Sequence, residues 1–382
     1  MKSERFVSLD LFRGLIMVIM AIDHASYFVA KVHYFEFWGV ALPRSPDTIS
    51  FVTRFVTHIC ATGFFFLMGA GMIFFLNSRR DVGWTEAKIT RFFLTRGLIL
   101  VLLQFFLENP AWLIGLLSDK SQALTSVTIP GGGEEIRFFF GVLYALGMSM
   151  VVWSLLLRFK SSIILALSFT SILLTQILIP SAGKAEKLYS PILRALLIPG
   201  QTGITQVLYP LIPWLGIAGL GIVFGRALIK NRQNAHQWML IAGMSSVILF
   251  LIVRALESFG NIHSPQGTSL VAFLNLTKYP PSLAFILLFM GLNCLLLYFL
   301  KKWETALKKW AKPLLIFGQT ALFFYIVHLY LYAFIGIAFP QGTGYGLLYL
   351  VWLGGLVALY PLCFLYRRCK RKTSPDSIWR FF

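Results

Sequence analysis

The sequence predicts an all-α integral membrane protein, a single polytopic bundle of about ten transmembrane helices with both termini cytoplasmic. Three observations carry that expectation. The chain is 57% hydrophobic and 13% charged, with a mean hydropathy of +0.75 over 382 residues, which soluble domains do not reach. Apolar runs of roughly 20 residues, enough to cross about 30 Å of hydrocarbon, recur along its whole length. The basic residues alternate from one connection to the next, so the formal net charge of +19 reads as membrane orientation and not as a nucleic-acid surface.

Taken in order, the expected spans cover residues 9–30, 49–76, 92–109, 136–157, 161–180, 202–228, 237–256, 281–300, 313–334 and 344–365. The first follows Lys2 and Arg5 and reads as a retained signal anchor, because the run is too long for a cleaved leader and Asp23–His24 is a poor cleavage context. Later inner connections hold Arg79, Arg80, Lys88, Arg91 and Arg96, then Arg158 and Lys160, then Arg226, Lys230 and Arg232. The last of them holds Lys301, Lys302, Lys308, Lys309 and Lys312, and the tail adds six more, so about 23 of the 34 Lys and Arg residues fall on one side. The outward connections 110–135 and 181–201 are the long ones. Gly131, Gly132 and Gly133 in the first precede Glu134 and Glu135, whose carboxylates repel an anion, so the segment reads as a flexible hinge over an entrance and not as a phosphate cradle. Cys60, Cys294, Cys363 and Cys369 show no paired spacing, so neither a disulfide framework nor a metal site is expected. With no internal repeat, residues 1–382 form one domain with a short basic cytoplasmic tail from about 366.

Ionisable residues inside the apolar runs are the functional candidates, since a charge in hydrocarbon costs several kcal/mol unless it faces a partner or a wet cavity. The first run carries Asp10, Arg13, Asp23 and His24; the second carries Arg54 and His58, four apart and on one helical face. Counting about 1.5 Å per residue puts His24, His58 and His328 roughly 9 to 14 Å below the outer surface. Arg54 and Arg254 lie slightly shallower, so five ionisable groups converge on the outer half. Each also has a purely structural use. The histidines can bridge helices, Asp23 and Glu257 can neutralise Arg54 and Arg254, and Asp10 can pair with Arg13.

The ordered motifs resemble a known family. SLDLFRGL at 8–15 continues to Asp23 and His24, and is followed by TRFVTHICA at 53–61 and FLMG at 66–69. YPLIPWLG at 209–216, KYPPSL at 278–283, and FGQ at 317–319 with Phe323, Phe324, Tyr325 and His328 complete the set. The pattern is similar to bacterial membrane proteins grouped with the heparan-alpha-glucosaminide N-acetyltransferase catalytic domain, with Thr62 where that pattern has proline. The resemblance implies a transmembrane acyltransferase of the bacterial inner membrane, moving an acetyl group from cytosolic acetyl-CoA to an amino sugar or other glycan on the far side, with no metal. It also implies a catalytic histidine near the outward end of the first helices. His24 fits that description, and His33 is the nearest counterpart of the histidine used by the lysosomal branch.

Acyl transfer needs a group that takes a proton from the acceptor or takes the acyl group itself, and histidine does either near neutral pH. The expected catalytic set is His24, with His58 or His328 orienting the acceptor, Arg54 stabilising an oxyanion, and Asp23 and His33 beside them. Arg13 and Asp10 are expected at the CoA end, and Arg254, Lys278 and Tyr279 at the substrate. The partners are then the bilayer, a glycan acceptor and, as an open question, a second copy of the chain as a homo-oligomer. A proton-coupled transporter or flippase using the same histidines and arginines is the competing reading, and a membrane-embedded assembly protein the third.

Overall fold

The computed structural model describes residues 6–121, 123–124, 138–179 and 189–373. The expected hinge at Gly131 to Glu135 lies outside the described residues. Helix α1 spans Val7–Ala25 and runs into a π-helical turn at Ser26–Ala30. Helices α2 (Thr48–Thr57) and α3 (Ile59–Arg80) meet at a single-residue break at His58, and α2 is capped by Asp47, whose carboxylate accepts from Ser50 N at 2.7 Å. Next come α4 (Glu86–Leu103), a second π turn at Gln104–Glu108, α5 (Asn109–Leu117), β1 (Phe138–Phe140), α6 (Val142–Leu156) and α7 (Ser161–Leu178). The chain continues through α8 (Pro191–Leu196), β2 (Gly200–Thr202), β3 (Thr205–Val207), α9 (Leu211–Lys230), α10 (Arg232–Ala255), α11 (Leu270–Leu274) and α12 (Leu283–Lys302). It ends with α13 (Glu304–Trp310), α14 (Lys312–Gln319), α15 (Ala321–Ile337) and α16 (Tyr345–Lys372).

Among the described residues seven helical stretches are long and apolar enough to cross a membrane, eight if α14 and α15, bent by 96° at Thr320, count as one broken span. The expected ten are not reached on that criterion for physical reasons. Asp10, Arg13 and Asp23 give α1 three charges, and α6 has only 15 residues. The all-α membrane class fits, with one small addition: three-residue strands in which β1 pairs in parallel with β3 and β2 pairs antiparallel to it. Residues 202–209, expected to begin a span, turn at Gly203 (φ +53°) into β3, and the helix starts only after Pro210. At the other end α16 carries the basic tail on as helix to Lys372.

The bundle is held by close backbone crossings. A Cβ on Gly14 would fall 1.9 Å from the Leu314 carbonyl oxygen, and one on Gly318 would fall 2.0 Å from that of Asp10, so α1 and α14 touch where neither carries a side chain. Gly69 and Gly221 do the same for α3 and α9. One end of the bundle is basic. Arg232 covers the Phe6 ring at 4.8 Å and lies 3.9 Å from Glu304, while Arg226 donates to the Phe159 carbonyl at 2.7 Å and to that of Leu157. The start of α1 and the ends of α6, α9 and α12 therefore gather there.

Candidate active site

His24 occupies the last turn of α1, where the π turn widens the helix before Lys31 reverses the chain in the left-handed region (φ 56°). Its Nδ1 lies 2.6 Å from Nε2 of the fully buried His328 on α15. His328 Nδ1 in turn sits 2.9 Å from the Phe324 carbonyl. A carbonyl only accepts, so His328 carries its proton on Nδ1, and its Nε2 accepts the Nδ1–H of His24. His24 Nε2 is left with a lone pair, the form a base or nucleophile needs. Trp112 and Tyr325 wall the ring edge-on, with centroids at 5.2 and 6.1 Å.

Arg54 forms the second centre. Its Nε and Nη2 donate to the two oxygens of Glu36 at 2.8 and 2.7 Å, and its Nη1 donates to Asp23 at 2.5 Å. All three side chains are largely buried. A bidentate guanidinium–carboxylate pair is strong and geometrically exacting. Here it fastens the connection after α1 to α2. The Glu36 carbonyl also accepts from the backbone N–H groups of Lys278 and Tyr279 at 3.1 and 3.0 Å, which brings KYPPSL to the same place. Burial alone would raise the Glu36 carboxyl, but Arg54 and His58 beside it hold it well below the usual range. Burial, reinforced by Arg54, pushes His33 down to about 4 against the pull of Asp23 and Glu36. Two cavities of about 10 Å³, each room for a single water, flank Arg54.

A much larger cavity, about 340 Å³, enters from the basic end. Its lining includes the polar Arg13, Arg96, Lys370 and Gln319, the apolar Met17, Leu67 and Phe93, and Tyr325. Tyr325 also sits edge-on to His328 at 5.6 Å, so the cavity stops one aromatic ring from the histidine pair. Glu108, on the second π turn, accepts from Trp112 Nε1 at 3.1 Å with Tyr325 beside it.

The structure thus brings His24 to His328, and Asp23 and Arg54 to Glu36, while Asp23 and His24 face different partners despite adjoining in sequence. Three of the five N–H donors of Arg54 are committed to carboxylates, which leaves one on Nη1 and one on Nη2. His58 Nε2 is 3.4 Å from Glu36, and the ring packs on Phe285 and Phe289. His33 lies beside Asp23 and Arg54 in one of the small cavities. Asp10 pairs with Arg13 at 3.5 Å and accepts from Gln319 at 3.2 Å. Lys278 Nζ lies 5.0 Å over the Tyr279 ring, and Tyr279 meets Tyr209, oxygen to oxygen, at 3.4 Å. Arg254 is spent elsewhere, on Asn261 and the carbonyls of His263, Ala272, Phe273 and Asn275, where it ties the 261–275 connection to α10. Sequence reasoning missed Glu36 and Glu108. The signal for Glu108 was a lone carboxylate inside the third apolar run, whereas Glu36 sits in an aperiodic connection that offered none.

The profile of the family described as heparan-alpha-glucosaminide N-acetyltransferase, catalytic, matches residues 5–259. No curated protein matches the chain. Asp23, His24, Glu36, Arg54 and Glu108 lie inside the matched region, and Lys278, Tyr325 and His328 beyond it. With two thirds of its length matched, the chain belongs to the family of heparan-alpha-glucosaminide N-acetyltransferase catalytic domains.

Proposed function

We propose that this transmembrane acyltransferase moves an acetyl group from cytosolic acetyl-CoA to the amine or hydroxyl of an amino sugar or other glycan on the extracytoplasmic side. The observation that carries the reading is the cavity that opens among Arg13, Arg96 and Lys370 and ends on Tyr325 against the histidine pair. Its chemistry fits the donor from end to end. Guanidinium and ammonium groups suit phosphates, Gln319 suits an amide, and the apolar shaft suits a pantetheine arm. The donor supplies a thioester carbonyl.

His24 supplies the base. Its Nε2 takes the proton as the acceptor's nitrogen or oxygen bonds to the acyl carbon and the carbon–sulfur bond breaks, and that proton then passes to the departing thiolate. His328 positions His24 by fixing its tautomer, as the orienting member of a catalytic triad does. Arg54 orders the Glu36 connection over the site, and Lys278, on the segment bonded to that connection, is the cation assigned to the acceptor side.

Calorimetric titration of acetyl-CoA into the purified protein, with mass spectrometry of glucosamine incubated alongside, tests this reading. Donor binding that weakens at least tenfold in Arg96→Gln, with transfer abolished and binding kept in His24→Ala, is the expected result. Near-normal turnover in His24→Ala moves the base to His33 or His58. Failure of the donor to bind, with unmodified sugar crossing proteoliposomes, replaces the enzyme by a transporter.

A further inference from the structure

A second polar cavity lies at the basic end between α10 and α12 and takes no part in the site above. It is an open groove of about 420 Å³ lined by Arg232, His236 and Gln237 on one side and by Tyr298, Lys301 and Lys302 on the other. Below it the two helices close on each other, since a Cβ on Gly243 would lie 3.0 Å from the Gly291 carbonyl.

The pocket is cationic. Among the described residues Arg232 at 3.9 Å and Lys301 at 2.9 Å share one carboxylate, Glu304, and Lys302 adds a third positive charge. His236 gives the second, independent sign of a ligand. Only 6% exposed, it holds its Nδ1 2.6 Å from the Arg232 carbonyl, which accepts the proton, while its Nε2 is buried with no hydrogen-bond partner. A buried nitrogen of this kind calls for a donor. Cations beside a hydrogen-bond acceptor suit a phosphodiester that carries a hydroxyl.

The setting points to a lipid as the source. Both flanks of the pocket are ends of membrane-length apolar helices. Below the pocket α10 presents Ile241, Met244 and Ile248 outward. Trp238 (61% exposed) and Trp303 (56% exposed) stand beside it, where tryptophan marks the headgroup level. Basic pockets between membrane helices hold anionic headgroups in the same way.

We propose that this groove binds an anionic phospholipid with a hydroxyl-bearing headgroup, the phosphate held by Arg232, Lys301 and Lys302 and the hydroxyl donating to His236 Nε2. The test is native mass spectrometry of the full-length protein titrated in detergent with phosphatidylglycerol or phosphatidylcholine of matched chains. At least fivefold greater retention of phosphatidylglycerol is expected, falling to the phosphatidylcholine level in H236L/K302Q and unchanged in K308Q/K309Q, which removes equal charge from α13. Equal retention of the two lipids overturns the proposal, as does an equal loss in K308Q/K309Q. Displacement of the lipid from the wild-type protein by millimolar sn-glycerol 3-phosphate also overturns it, by assigning the pocket to a soluble phosphate. That competition needs no variant to fold.

Discussion

Replacing His328 by Ala isolates the link between the histidine pair and catalysis. The substitution removes the acceptor 2.6 Å from His24 Nδ1 and leaves the His24 side chain chemically intact. Two effects of different size compete. A lost neutral hydrogen bond is worth about 0.5–1.5 kcal/mol, a rate factor of only about 2 to 10. Loss of the tautomer is worth far more, since an unheld imidazole can turn or carry its proton on Nε2, where no base remains, and positioned general bases contribute about 10²–10⁴ in rate. The expected drop in kcat for His328→Ala is therefore about 100-fold, or about 2.7 kcal/mol, with KM for acetyl-CoA unchanged because the donor cavity ends at Tyr325. His328→Gln, whose amide oxygen can accept the same proton, should recover part of the loss. The assay is acetyl transfer to glucosamine in detergent, followed by mass spectrometry. Groups that act as a unit are not additive, so His24→Ala with His328→Ala should be no slower than His24→Ala alone. A His328→Ala enzyme within threefold of wild type, or losses that multiply in the double variant, would refute the tautomer reasoning.

Arg54→Met strands Asp23 and Glu36 without their cation and should cost about 3–5 kcal/mol of stability; adding Asp23→Asn and Glu36→Gln should restore most of it, read as the unfolding midpoint in detergent. Folded His33 is held at about 4, below its ordinary 6.5, so between those values the unfolded chain binds the extra proton and stability falls as the pH falls. His33→Gln should flatten that slope in unfolding midpoints measured from pH 7 to 4, and an unchanged slope would remove His33 from the account. Gly14→Ala drives a methyl into the Leu314 carbonyl and should destabilise by about 1–3 kcal/mol, as overpacking does, weakening acetyl-CoA binding at the adjoining Arg13 as α1 and α14 separate.

What the sequence made legible follows from the cost of charge in hydrocarbon. That cost singles out Asp23, His24, Arg54 and His328, and the structure brings those four into two adjoining centres. The pairing of Arg54 with Asp23 was among the structural alternatives open from sequence. Its pairing with Glu36 was not, because a connection without periodicity carries no register from which to infer a partner. Arg254 looked equivalent to Arg54, and only the folded 261–275 connection, with four carbonyls turned inward, shows that it anchors a different connection from the one Arg54 holds. The π turns and the right-angle break at Thr320 were equally silent, since each is a local change of backbone path that leaves composition and apolar content unchanged. Hydropathy fixes how many residues are buried, not where a helix bends.

The bond between the two histidines joins positions 304 apart. At roughly 5–20 residues per second of translation, the first imidazole is synthesised roughly 15 to 60 seconds before its mate exists. Throughout that interval the growing polypeptide on the ribosome holds an imidazole whose Nδ1 lacks the acceptor that fixes its proton, so on the proposed mechanism a half-built chain has no oriented base. Competence arrives only when the closing helices are threaded, and synthesis itself sets the timing.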